Sequence, residues 1–107
     1  MNTEEIAKIF KALSDKRRIN ILRILQQGET CVCELQKQCD DLTQSGLSYH
    51  LKVLSDAGFL HCRHEGKWCH YSIALSGKEH ALSLLNSLLQ ENEDTQNSCN
   101  CKKNLNK

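Results

Sequence analysis

A chain of 107 residues that is 39% hydrophobic, with five aromatic residues, is long enough for one domain with a modest core and a tail. Its net charge of +1 excludes a wholesale nucleic-acid coat but leaves room for a locally basic surface. No apolar run reaches the roughly 18 residues a membrane span needs, and the polar, acidic start Met1-Asn2-Thr3-Glu4-Glu5 is not a signal peptide. These features point to the cytoplasm, where the seven cysteines are reduced thiols or metal ligands rather than a disulfide framework.

In chain order, Thr3 can cap a first helix whose apolar residues Ile6, Ile9, Phe10 and Leu13 recur at helical spacing. Ser14-Asp15 opens a second helix with Ile21, Leu22, Ile24 and Leu25 on its buried side and Gly28 as its stop. Lys16, Arg17 and Arg18 crowd the first turn, where cations oppose the helix dipole. A phosphate partner would explain them, as would a solvated charge run. A third helix begins at Thr30 and fades near Cys39-Asp40-Asp41.

The next helix runs from Gln44 to about Ala57, with Thr43 as N-cap, a Leu42/Leu47 staple and Gly58 as its stop. Leu47, Leu51 and Leu54 face a core. The opposite face carries Ser45, Ser48, Tyr49 and Lys52, none of them acidic, with Gln44 at the helix start and His50 on its flank. A packed helix with such an outer face suits a DNA major groove; a plain solvated face is the alternative. Phe59 to His64, the turn Glu65-Gly66-Lys67, and Trp68 to Leu75 read as a β-hairpin, since Cys69, Tyr71, Ile73 and Leu75 alternate with polar residues. Arg63, His64 and Lys67 near its tip suit DNA phosphates better than bases. Ser76-Gly77-Lys78-Glu79 is a capping box opening a last helix. The wide leucine stripe of that helix suits a dimer surface, completed by the first helix. The fold class is therefore mainly α with a β-hairpin, a homodimeric winged helix-turn-helix over residues 1–90. Residues 91–107 are expected to form a mobile cysteine-containing tail.

Two Cys-x-Cys pairs, Cys31/Cys33 and Cys99/Cys101, carry the chemistry. At a helix start the backbone N–H groups favour thiolates, and thiolates select soft ions. On a regular helix residues i and i+2 point about 200° apart. Cys31 and Cys33, as first and third helical residues after a Thr30 cap, would therefore share an ion only by unwinding the first turn. That constraint suggests a switch that works by distorting the helix supporting the recognition helix. Cys62 and Cys69 read as small apolar fillers of the hairpin, and Cys39 as a remote ligand at best.

Together Ser14-Asp15-Lys16-Arg17-Arg18, Thr30-Cys31-Val32-Cys33-Glu34-Leu35, Gln44 to Leu54 and Gly66-Lys67-Trp68-Cys69-His70-Tyr71 resemble the ArsR/SmtB family over residues 3 to 90. The resemblance implies a homodimeric repressor that binds a palindromic operator and releases it when As(III) or Sb(III) binds, other soft thiophilic ions being possible inducers. It also implies that Cys31 and Cys33 are metalloid ligands. Some members carry a third thiol where this chain has Gln36, and others end in a Cys-rich tail like Cys99-Asn100-Cys101, so the expected site is Cys31 and Cys33 completed by Cys99 or Cys101. The family's zinc sensors use carboxylates and His on the last helix; His80, Glu91 and Asp94 fall near that spacing, with Lys78 where a carboxylate is expected. Four further readings compete: a cadmium- or zinc-responsive repressor, a thiol-redox switch on the same fold, a thiol reductase, and a structural-zinc interaction module without DNA function. The reductase is disfavoured because there is neither a Gly-rich anion cradle nor a Cys-x-x-Cys on a βαβ pattern.

Overall fold

The computed structural model describes residues 2–91. The elements run α1 (Thr3–Ala12), α2 (Lys16–Leu25), β1 (Thr30–Cys31), α3 (Val32–Gln38), α4 (Gln44–Asp56), β2 (Leu60–Glu65), β3 (Trp68–Ile73) and α5 (Leu75–Leu88). Asn2 rather than Thr3 caps α1: its Oδ1 accepts from the Glu4 and Glu5 N–H groups at 2.8 and 3.2 Å. Asp15 and Thr43 cap α2 and α4 as their types favour.

The core is built from one face of each helix. Ile21, Leu35, Leu47 and Leu54 are essentially inaccessible, with Ile9, Leu25, Leu51, Phe59, Leu60 and Leu84 around them. Each such side chain contributes about 1.5–3 kcal/mol by leaving water. Gln36 braces the helix-turn-helix: its Nε2 donates to the Leu42 carbonyl at 2.7 Å.

The hairpin is part of a three-stranded antiparallel sheet of order β1-β3-β2. The added strand is Thr30–Cys31, pairing Thr30 with Tyr71 and Cys31 with His70. Helix α3 therefore starts at Val32 with Cys31 as its N-cap, one residue later than a Thr30 cap would place it. The hairpin turn has two central residues, Gly66 and Lys67, closed by the pair Glu65↔Trp68. Gly66 has φ +62° and Lys67 a negative φ, the type II′ pattern that suits strand twist.

The capping box expected at Ser76–Glu79 does not form. Helix α5 begins at Leu75 without a side-chain cap. Its start is set by packing: the Ala74 N–H donates to the Phe59 carbonyl at 2.9 Å, and Gly77 lies directly on the backbone of Gly58. Leu82, Leu85 and Leu88 on α5, and Leu89 just after it, remain exposed. No helix among the described residues is long and apolar enough to cross a membrane.

Candidate nucleic-acid interface and thiol sites

Helix α4 presents Gln44, Ser45, Ser48, Tyr49 and Lys52 to solvent, as its periodicity implied. Lys52 Nζ lies 3.3 Å from Asp56 Oδ2 in an exposed i,i+4 pair, worth only a few tenths of a kcal/mol (about 0.3–0.5) and easily exchanged for a phosphate. His50 does not join this face. It is only 4% exposed and lies against Arg18, itself 7% exposed. Arg18 Nη1 is 3.0 Å from His50 Nδ1. Its Nε donates to the Ala12 carbonyl at 2.8 Å, and its Nη2 to the Lys11 carbonyl at 3.3 Å. Position 50 follows the buried side of α4, beside Leu47, Leu51 and Leu54, so its ring packs instead of reading bases. The basic cluster of α2 is correspondingly smaller than its sequence suggests: Arg18 is internal, and Arg17 folds back on Asp15, Nη2 to Oδ2 at 2.9 Å. That ion pair holds the Asp15 carboxyl well below the usual carboxylate range.

On the hairpin, Arg63 is clamped by Glu29. Its Nε donates to Oε2 at 3.0 Å and its Nη2 to Oε1 at 2.8 Å, a bidentate pair that lowers the Glu29 pKa. Lys67 at the turn is held only loosely, its Nζ 5.9 Å from the Trp68 ring centroid. A groove between α3, α4 and the hairpin is lined by Cys33, Gln44, Ser48, Lys52, Lys67 and Trp68, among others. It joins the outer face of α4 to the hairpin tip.

The Cys31 and Cys33 sulfurs lie 2.8 Å apart. The expectation that they diverge unless the helix unwinds is thus corrected. Cys31 is the N-cap of α3, with extended φ −76° and ψ 156°, so the helical period does not govern its side chain. The pair converges with the helix intact. The Cys33 thiol beside it and the N–H groups of the α3 start lower the Cys31 pKa, while that of Cys33 is raised. Cys31 also stands in β1 on β3, so this pair sits at the joint between the helix-turn-helix and the hairpin. Cys99 and Cys101, and with them the expected tail and Asp94, lie outside the described residues. His80 is exposed on α5.

Sequence reasoning missed a second constellation. Cys62, His64 and Cys69 each offer a ligand atom, all within 4.8 Å of one another. Cys62 and Cys69 are half-buried but are not mere fillers: Cys69 Sγ is 3.3 Å from His64 Nδ1, and Cys62 Sγ is 3.7 Å from His64 Nε2.

Among the described residues, five helices and a three-stranded sheet with an exposed, polar-faced fourth helix and a charged hairpin tip define a winged helix-turn-helix protein. Residues 15–61 match the family described as bacterial regulatory protein, arsR family. The chain is 31% identical over 102 residues to an arsenical resistance operon repressor of Staphylococcus aureus, covering 95% of this chain and 93% of the relative. It is 45% identical over 65 residues to the arsenical resistance operon repressor of Bacillus subtilis, 60% of this chain and 61% of that one. It is 40% identical over 73 residues to a cadmium resistance transcriptional regulatory protein CadC homolog of Staphylococcus aureus, 67% and 60% respectively. In these last two the match spans about six-tenths of the relative's length. A solved ArsR family transcriptional regulator superposes with a TM-score of 0.67 at 25% identity, covering 86% of this chain and 97% of that one. The chain belongs to the ArsR family.

Proposed function

We propose that this chain is an arsenite- or antimonite-responsive transcriptional repressor that binds operator DNA as a homodimer. The observation that carries the inducer assignment is the convergence of the Cys31 and Cys33 sulfurs at 2.8 Å, beside the joint of helix-turn-helix and hairpin. Three thiolates satisfy As(III), each thiol giving its proton to a departing hydroxide as water. Cys31 and Cys33 would supply two, and Cys99 or Cys101, from the same or the partner subunit, the third. Because Cys31 belongs to both β1 and the α3 cap, drawing its sulfur toward a third ligand strains the β1–β3 pairing and the base of α3 together. Gln44, Ser45, Ser48, Tyr49 and Lys52 on α4 would then lose their alignment with Lys67, Arg63 and His64 on the wing. The exposed leucines of α5 are the surface for the second subunit: a contiguous apolar face of this kind is rarely left in water.

The test uses reduced full-length protein and a duplex selected by that protein from a random-sequence library. Anisotropy follows DNA release as arsenite, cadmium and zinc are titrated separately. Arsenite should release the duplex from the native chain and leave the Cys31→Ser/Cys33→Ser variant bound. Identical release from both would refute the site. The similarity to a cadmium-resistance regulator gives a second reading, a cadmium-responsive repressor; release by cadmium alone would favour it.

A further inference from the structure

We propose that the wing holds a second metal site, in which Cys62, His64 and Cys69 bind a zinc-class divalent cation. The site does not depend on the arsenite reading, since it shares no residue with Cys31, Cys33, Cys99 or Cys101.

The hairpin register builds it. Residues two apart on a strand share a face, and directly opposed residues have neighbouring Cβ atoms. His64 pairs with Cys69 across the hairpin, and Cys62 pairs with Tyr71. Cys62 and His64 on β2 and Cys69 on β3 therefore stand on one face of the hairpin, and that face turns toward the groove under α3 and α4, which all three line. The type II′ turn at Gly66-Lys67 fixes the register, so the three donors are brought together by backbone hydrogen bonds whether or not an ion is present.

The donor set selects the ligand. Two thiols and an imidazole are zinc's preferred partners. Zn–S and Zn–N bonds of about 2.3 and 2.0–2.1 Å require donor atoms a little under 4 Å apart in a tetrahedron. Cys69 Sγ lies 3.3 Å from His64 Nδ1 and Cys62 Sγ 3.7 Å from Nε2; an ion takes one of these nitrogens, and with one ligand atom from each residue the three donors lie within 4.8 Å of one another. Small rotamer adjustments close the geometry. Half-burial of both cysteines limits competition by water. Three protein ligands leave a fourth position open toward the groove, for water or an exogenous ligand. An ion there ties the two strands together next to Lys67; the two thiols release their protons as it binds, so the site stays neutral overall.

The test uses the full chain with Cys31, Cys33, Cys99 and Cys101 replaced by Ser, so that only Cys39, Cys62 and Cys69 remain; Cys39 is buried in the core. Co²⁺ is titrated as the probe. A single equivalent should produce the intense visible bands of a four-coordinate thiolate–cobalt centre, which Zn²⁺ then bleaches. Fluorescence of Trp68, the chain's one tryptophan, should change with the same stoichiometry. Adding Cys69→Ser or His64→Gln should weaken binding by about a hundredfold or more, since losing a ligand costs more than losing its outer-shell support. Circular dichroism confirms that each variant is folded, and His64→Gln, which leaves both thiols in place, serves if Cys69→Ser is not. Absence of the bands, or bands that persist in both variants, would overturn the site.

Discussion

Arg18 on α2 and His50 on α4, thirty-two residues apart, meet in the interior with Nη1 and Nδ1 3.0 Å apart. A guanidinium has only donors, so His50 Nδ1 must accept, and the ring is neutral with its proton on Nε2. This contact ties the helix that scaffolds the motif to the helix whose outer face is proposed to meet DNA. Burial pushes the His50 pKa below its ordinary 6.5. In the unfolded chain the imidazole takes up a proton near pH 6.5, whereas in the folded chain it does so only at lower pH. The unfolded state thus binds more protons in that window, and this contribution to stability is present above pH 6.5 and lost as pH falls through the folded-state value. Urea unfolding of native protein and His50→Asn at pH 7.5 and pH 5 should show a steeper loss for the native chain. Equal losses would contradict the assignment.

Arg18 itself is expected to matter more. Replacing it with Met takes their Arg18 donor from the Ala12 carbonyl and His50 Nδ1, whereas the Lys11 carbonyl keeps the Ser14 N–H and hydroxyl. Hydrogen bonds from a charged group and the desolvation of stranded acceptors put the cost at about 3 kcal/mol. A denaturation midpoint unchanged from the native chain would show that water reaches these groups.

Gly77 offers a sign test. Ala normally favours a helix over Gly by about 1 kcal/mol. Here a Cβ on Gly77 would lie 1.8 Å from the Gly58 carbonyl oxygen and 2.5 Å from its carbon. The obstacle is backbone, so α5 must move off the Gly58–Phe59 corner. Gly77→Ala should destabilise by about 1–3 kcal/mol, the usual range for overpacking. Thermal melts of the two proteins decide it, and a raised midpoint would mean that α5 shifts freely.

Much of this architecture was legible from one-dimensional pattern. The Leu47/Leu51/Leu54 stripe, the Thr43 cap and Gly58 located α4, because local chemistry and the 3.6-residue period agree there. Failures came where tertiary pairing overrode local signals. Nothing in Thr30-Cys31 announces a two-residue strand, yet pairing with Tyr71 and His70 moves the start of α3 and brings two sulfurs together that a regular helix would separate. The Cys62/His64/Cys69 cluster was lost to a single residue of register. A three-residue turn at Glu65–Lys67 sets His64 opposite Trp68, whereas the actual two-residue turn sets it opposite Cys69. One step of slip exchanges the faces of a strand. His50 was misread because its position flanks both faces of α4, and only its partner Arg18, distant in sequence, decides between them.

At the wing, Lys67 and Arg63 carry the same charge but are held differently. Arg63 is engaged bidentately by Glu29, whereas Lys67 lies over the Trp68 ring. If Lys67 meets a DNA phosphate, Lys67→Ala should weaken binding uniformly across sequences and reduce the salt slope by about 1. Arg63→Ala should cost less, because Glu29 already neutralises the guanidinium. Binding isotherms at several salt concentrations check both, and a larger loss at Arg63 would show that DNA displaces Glu29.

The thiol pair of α3 makes a prediction about order of reaction. The neighbouring Cys33 thiol and the backbone N–H groups at the helix start lower the Cys31 pKa, while that of Cys33 is raised by its contact with Cys31. Thiolate, not thiol, is the nucleophile. Limiting iodoacetamide near neutral pH should therefore modify Cys31 ahead of Cys33, as peptide mapping by mass spectrometry would reveal. Cys33→Ala removes that neighbouring thiol, so the pH at which Cys31 becomes half-reactive should rise. A fall, or faster labelling of Cys33 in the native chain, would reverse the roles. With Cys31 as the thiolate, first attack on a thiophilic centre comes from the residue built into β1, and Cys33 follows by releasing the proton that it shares.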